Sequence, residues 1–162
     1  MVSSESSATV ETYRLLIADV YQLAGLSRHT SEDIARAEGQ STARWHVLSV
    51  LSGGPMTVSS AARRLGLARQ SVQRVVNELK AAGLVAGTGN PHDARAPLVQ
   101  LSDSGSQTLA RLDAAGHRHR SQLLADTELD AASLSQARAT INQLIRMLSA
   151  PATGTTTNET TR

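Results

Sequence analysis

The sequence predicts a mainly α-helical fold with one small β-hairpin, and three observations carry that reading. The apolar supply is mostly Leu, Val and Ala, with aromatics confined to Trp45, Tyr13 and Tyr21. That composition suits close-packed helices better than a β-sandwich. Long stretches repeat apolar residues at i, i+3, i+4 and i+7, the period of a helix with one buried face. Two short β-type runs, 84–88 and 98–101, flank a segment rich in Gly, Asn and Pro, the composition of a turn.

The elements follow in order. Val10, Tyr13, Ile17, Val20, Tyr21 and Ala24 set a first helix over about 8–27, resuming through 31–38 with an acidic first turn. Ser41 caps a second helix, 42–52, striped by Val47, Leu48 and Leu51 and ended by Gly53-Gly54-Pro55. Thr57 starts a third helix, 58–65, and Gly66-Leu67 makes a tight turn into a fourth, 69–82, which stops at Gly83. The two strands come next. Pro97 has no N–H for a ladder, so its strand is expected at a sheet edge. Ser102 opens a fifth helix, about 103–125, interrupted at Asp126-Thr127. A sixth, about 130–149, carries Leu134, Ala137, Ile141, Leu144, Ile145 and Leu148 on one stripe. Residues 1–7 and 150–162 are expected to be disordered, the tail having nothing apolar large enough to anchor it.

Composition excludes several function classes. There is no Cys, hence no disulfide, no Cys-based zinc site and no thiol redox switch. The Ser-rich stretch 1–9 lacks a basic-then-apolar targeting pattern, and no apolar run approaches a membrane span, so a cytoplasmic chain without a membrane partner is expected. No Gly-rich phosphate loop, Gly-x-Ser-x-Gly or His-Glu-x-x-His occurs. No local arrangement of Ser, His and Asp singles out a nucleophile, so neither an enzyme nor a cofactor is expected.

Charge is distributed unevenly. Residues 41–97 hold seven Lys/Arg against two Asp/Glu, whereas 1–40 are net acidic and 98–162 are balanced. A basic block in the centre of the chain fits a footprint for phosphate, although a solvated cluster gives the same count.

The fourth helix has two legible faces. Val72, Val75, Val76 and Leu79 form a core stripe at i, i+3, i+4 and i+7, and Gln70, Gln73, Arg74 and Asn77 repeat that spacing on nearly the opposite side. Gln and Asn can pair with adenine edges and Arg with guanine in a major groove. A plain amphipathic helix would also have a polar face, more often of Glu and Lys. Arg63, Arg64 and Arg69 gather around the preceding turn, and Arg69 and Ser71 stand near the start of the helix, whose free N–H groups favour phosphate. A short helix, a Gly-containing turn and a polar-faced second helix make a helix-turn-helix. The turn that follows carries His92 and Arg95 and, beside a helix-turn-helix, suits a wing with Asp93 placed to hold the Arg95 guanidinium, although in isolation it reads as well as an ordinary polar loop. The predicted architecture is therefore a winged helix-turn-helix over 41–102, flanked by long N- and C-terminal helices over 8–40 and 103–149.

Three stretches resemble the MarR family of winged-helix regulators: 41–48 (STARWHVL), 57–67 (TVSSAARRLGL) and 71–85 (SVQRVVNELKAAGLV). The similarity runs on through the Asp-x-Arg segment 90–95 (NPHDAR) and the strand 98–102 (LVQLS). The resemblance implies DNA contact by Arg69, Gln70, Ser71, Gln73, Arg74 and Asn77, and a wing contact by Arg95 oriented by Asp93. It implies a homodimer on double-stranded DNA with the first, fifth and sixth helices interleaved, which makes 8–40 and 103–149 the dimerisation helices. It also implies repression relieved by a small aromatic or anionic effector. The sequence departs from the family pattern at Ala86-Gly87, where Arg is common, at Ala94 and Pro97 in the wing, and at Ala68, where a Ser cap is common.

Any effector pocket would draw on Tyr21, Trp45 and His46, although Trp45 also suits core packing and His46 a surface. His117 and His119 point to different sides of a helix, and no ligand spacing links them to His29 or His46, so no metal is expected. Two rival readings stand beside DNA-binding regulation. One is a winged-helix protein-interaction module with weak DNA affinity. The other is a small hydrolase or metal enzyme, suggested only by the scattered His residues.

Overall fold

The computed structural model describes residues 2–91, 93 and 95–150. The elements run α1 (Val2–Ala37), α2 (Thr42–Leu51), β1 (Met56–Thr57), α3 (Val58–Leu65), α4 (Arg69–Ala81), β2 (Val85–Thr88), β3 (Leu98–Leu101), α5 (Asp103–Ala125) and α6 (Ala131–Ser149). The mainly α winged helix-turn-helix expected from the sequence is the fold. The chain divides into two compact units, Met1–Arg120 and Ser121–Arg162.

In the first unit the core is built by α2, α3, α4, the sheet and the start of α5. Leu48, Leu79, Leu112, Val47, Val72, Val76 and Val99 are its largest fully buried side chains. Ser41 caps α2 by accepting the Arg44 N–H at 3.3 Å, and Thr57 caps α3 by accepting that of Ser60 at 3.1 Å. Gly83, at φ +70°, closes α4. Its own N–H and that of Leu84 bond back to Lys80 and Leu79, a left-handed turn that a side chain would strain.

Three features differ from expectation. First, α1 is continuous from Val2, inside the segment expected to be disordered, and has no break near residue 28. No Pro interrupts it, and Ser31 Oγ donates back to the Ser27 carbonyl at 2.8 Å instead of capping a new helix. Second, the sheet has three strands in the order β1-β3-β2, all antiparallel. Third, β3 is therefore the central strand and not an edge. Pro97 precedes Leu98, the first paired residue, so its missing N–H removes no ladder bond.

The second unit holds the end of α5 and α6. Asp130 and Ser133 form a capping box at the start of α6, and no residue of α6 is buried. Residues 151–162, the expected disordered tail, lie outside the described residues.

Candidate nucleic-acid interface

The helix-turn-helix is α3, a turn and α4. Gly66, at φ +65°, ends α3, and the Leu67 N–H returns to the Ala62 carbonyl at 3.0 Å, turning the chain within three residues. Ala68 stands at the N-cap of α4 and offers no side-chain acceptor. The first N–H groups of α4 therefore have no side-chain cap.

The aliphatic stripe of α4 is inside, with Val72, Val75, Val76 and Leu79 buried. The opposite side is open, and Arg69, Gln70, Gln73, Arg74 and Asn77 line one groove along it. Gln73 Nε2 donates to Asn77 Oδ1 at 3.0 Å, one turn on. Arg74 Nε stands 3.9 Å from Glu78 Oε1. Ser71 is exposed in the first turn but does not line that groove.

A second cleft joins α4 to the wing and to the start of α3. Arg69, Gln73 and Lys80 of α4, Ser59 of α3 and Arg95 of the wing all border it. Gln73 is thus common to both depressions and sits between the helix face and the wing. Three cations, Arg69, Lys80 and Arg95, converge here, a concentration of positive charge suited to phosphate.

Lys80 is the site residue that the sequence reading missed. A Cβ on Gly87 would stand 3.4 Å from Lys80 Nζ, so this side chain reaches over β2. It supplies a cation beside a strand, Val85–Thr88, that has none of its own. The available clue was spacing, since Gln73, Asn77 and Lys80 follow i, i+4 and i+7.

The wing turn is tied internally. Asn90 Nδ2 donates to the Ala96 carbonyl at 2.8 Å, and Asp93 Oδ1 accepts the backbone N–H of Arg95 at 2.9 Å. Asp93 therefore shapes the turn through the main chain of Arg95, in place of the expected grip on its guanidinium. Arg95 is exposed. His92 lies outside the described residues.

Arg63 and Arg64 are exposed on the last turn of α3 and line neither depression. Arg63 donates to Ser60 Oγ at 3.2 Å, while Arg64 Nη1 would lie 3.4 Å from a Cβ on Gly53.

The three candidate effector residues are dispersed in exposure. Trp45 packs against the core and donates its indole N–H to Asp113 Oδ1 at 2.9 Å. His46 is exposed, and Tyr21 is 77% exposed on α1. A site using Tyr21 needs a second surface to enclose it. Among the described residues, no group of three or more His, Asp or Glu is disposed to hold a metal ion. No described helix is long and apolar enough to cross a membrane.

Comparison with known proteins converges on one family. The MarR family profile matches residues 39–96, the stretch from the α1–α2 corner to the wing. An uncharacterized protein of Mycobacterium tuberculosis is 40% identical over 133 residues, covering 82% of this chain and 90% of that protein. The transcriptional activatory protein BadR of Rhodopseudomonas palustris is 31% identical over 104 residues, 62% of this chain and 59% of BadR. Among solved structures, Staphylococcus aureus MarR in complex with salicylate and kanamycin superposes with a TM-score of 0.76. It covers 84% of this chain and 91% of its own at 13% identity, a likeness of fold. The chain belongs to the MarR family of winged helix-turn-helix, DNA-binding transcription regulators, which are not enzymes.

Proposed function

We propose that this regulator is a cytoplasmic homodimeric repressor that sets two copies of α4 into successive major grooves of a pseudo-palindromic operator. The half-sites would lie one helical turn apart, about 34 Å. The observation that carries the reading is the two-faced α4. Its aliphatic stripe is buried, while Arg69, Gln70, Gln73, Arg74 and Asn77 share one open groove. Arg69, Lys80 and Arg95 would position the duplex through phosphates, with Arg63, Arg64 and Ser71 at the margin and His92 on the wing. Gln70, Gln73, Arg74 and Asn77 would read bases.

Dimerisation through 8–40 and 103–149 is supported by apolar surface left uncovered. Val10, Tyr13, Leu15, Tyr21 and Leu23 are exposed on α1, and Leu134, Ile145 and Leu148 on α6. An amphipathic helix with no buried residue gains little stability from its own unit and calls for a partner. The effector class is a small aromatic anion bound near Tyr21, Trp45 and His46. The salicylate complex of the staphylococcal relative supports that class.

The test is binding to selected and random duplexes over a salt series. Arg95→Ala should weaken both and flatten the salt slope, while Gln73→Ala should relax preference at particular base pairs. Equal losses on selected and random DNA for Gln73→Ala would remove its readout role. A second reading, a protein-interaction module with weak DNA affinity, draws on the cation-free β2 strand. Absence of any salt-dependent binding to the chain's own upstream region would favour it.

A further inference from the structure

Glu78 is the single acidic residue of α4, and it stands one turn beyond Arg74, at the edge of a surface that must meet phosphates. A carboxylate there repels the backbone of a duplex and lowers affinity for every sequence alike. Its two oxygens face two different guanidinium groups. Oε1 is 3.9 Å from Arg74 Nε, on the open side. Oε2 is 3.9 Å from Arg44 Nε, on the inner side.

Arg44 is fixed. It donates to Gln40 Oε1 and to the backbone carbonyl of Glu78, each at 3.2 Å. Its Nε is buried without a hydrogen-bond partner, leaving its charge turned toward the Glu78 carboxylate. Its side chain is 22% exposed, against 79% for Arg74. A well-held cation thus backs the carboxylate, and the carboxylate faces a solvent-exposed one.

We propose that Glu78 is a specificity-determining residue that buttresses Arg74 for a guanine edge, with Arg44 as its positioning residue. The inference rests on the DNA-binding reading of α4. An unrestrained Arg on a flexible stem reaches phosphates as readily as bases and adds affinity without sequence information. A carboxylate on the Nε side leaves the outer N–H pair directed away from it, in the fork that guanine O6 and N7 accept. The same negative charge disfavours phosphate at that spot. Glu78 therefore exchanges general affinity for discrimination.

The experiment begins with selection of bound oligonucleotides from a random pool by the full-length wild-type chain. Competition binding then follows on the selected duplex, on versions with each guanine replaced, and on random duplex. Glu78→Gln is expected to bind random duplex several-fold more tightly. It should also lose about fivefold or more of its preference at one guanine, the lower range for a bidentate base contact. Arg74→Ala should lose preference at that same guanine. Arg44→Ala should lose it too, but should bind random duplex more weakly, because the freed carboxylate is no longer neutralised from behind. Thermal melts of each variant separate these effects from unfolding.

Unchanged guanine preference in folded Glu78→Gln overturns the assignment. So does a parallel loss on selected and random DNA, which marks a structural role. If the wild-type chain binds no duplex in a salt-dependent way, the DNA-binding reading itself falls, and the assignment falls with it.

Discussion

Trp45 on α2 donates its indole N–H to Asp113 on α5 at 2.9 Å, and the far edge of its ring lies over Gly116 on the same helix. A Cβ on Gly116 would meet Trp45 Cη2 at 2.8 Å and Cζ2 at 3.2 Å. The hydrogen bond holds one end of the ring while the glycine makes room for the other. Gly116→Ala is therefore expected to displace the ring and to cost about 1–3 kcal/mol, the usual range for overpacking. Trp45 is the sole tryptophan, so its emission reports this joint directly. Unchanged emission and an unchanged denaturation midpoint in Gly116→Ala would mean that the ring is not confined there.

The corner between α4 and α5 is tighter still. The Ser102 N–H donates to the Leu84 carbonyl at 3.0 Å, and Ser102 Oγ donates to that of Gly83 at 2.7 Å. A Cβ on buried Gly105 would collide with the same Leu84 carbonyl. Backbone cannot step aside as a flexible side chain can. Gly105→Ala should destabilise the winged domain by about 3 kcal/mol, at the upper end of the overpacking range. Urea denaturation checks this, and a shift smaller than that of Gly116→Ala would contradict it.

These joints show what the sequence made legible. The dry stripe of α4 was readable because burial of Val72, Val75, Val76 and Leu79 follows the helical period itself. Gly66 and Gly83 were readable because a left-handed turn needs a residue without Cβ. The role of Lys80 was not, because it arises only when β2 folds back against α4 and brings Gly87 beneath its ammonium. Strand β1 has two residues, too few for any alternation to register. Asp93 carried the expected charge, but its bond goes to the Arg95 main chain, a choice set by turn geometry. The continuity of α1 was hidden because Ser31 can cap or back-bond, and only the fold decides between them.

The uncapped start of α4 yields a gain-of-stability prediction. Ala68 has extended backbone, φ −63° and ψ 137°, as an N-cap requires, yet it makes no side-chain bond. Ala68→Ser supplies the missing acceptor without changing the backbone and should add about 1 kcal/mol. A thermal or urea midpoint that does not rise would show that the first-turn N–H groups are already satisfied by solvent.

A pH dependence follows from the other end of the chain. Asp130 accepts the Ser133 N–H at 2.8 Å, and its carboxylate also lies 2.7 Å from Ser133 Oγ. The backbone bond, followed by the hydroxyl, holds its carboxyl below the ordinary Asp value. A group with a lowered folded-state pKa stabilises fully above its unfolded value and loses that contribution as pH falls through the folded value. The helicity of α6 should therefore decline on acidification below the ordinary Asp range. In Asp130→Asn the acid-dependent step at this site should vanish, as followed by circular dichroism from pH 6 downward, roughly the upper edge of carboxylate titration. A decline of identical size in that variant would assign the transition to other carboxylates.

Gln73 and Asn77 are bonded to each other at 3.0 Å and share one groove, so neither presents an independent contact. With Gln73 Nε2 engaged, Gln73 Oε1 and the Asn77 amide N–H groups remain to face a base edge in a fixed relation. Removing Asn77 frees the Gln73 amide to rotate and degrades its readout as well. The single substitutions Gln73→Ala and Asn77→Ala should each reduce discrimination at overlapping base positions. The double variant should lose less than the two losses added, with a coupling of about 0.5–3 kcal/mol, the range for residues in contact. Binding to a selected duplex and to its single-base variants measures all four corners of the cycle. Strict additivity, or losses at separate base pairs, would show that the two amides work apart when DNA is bound.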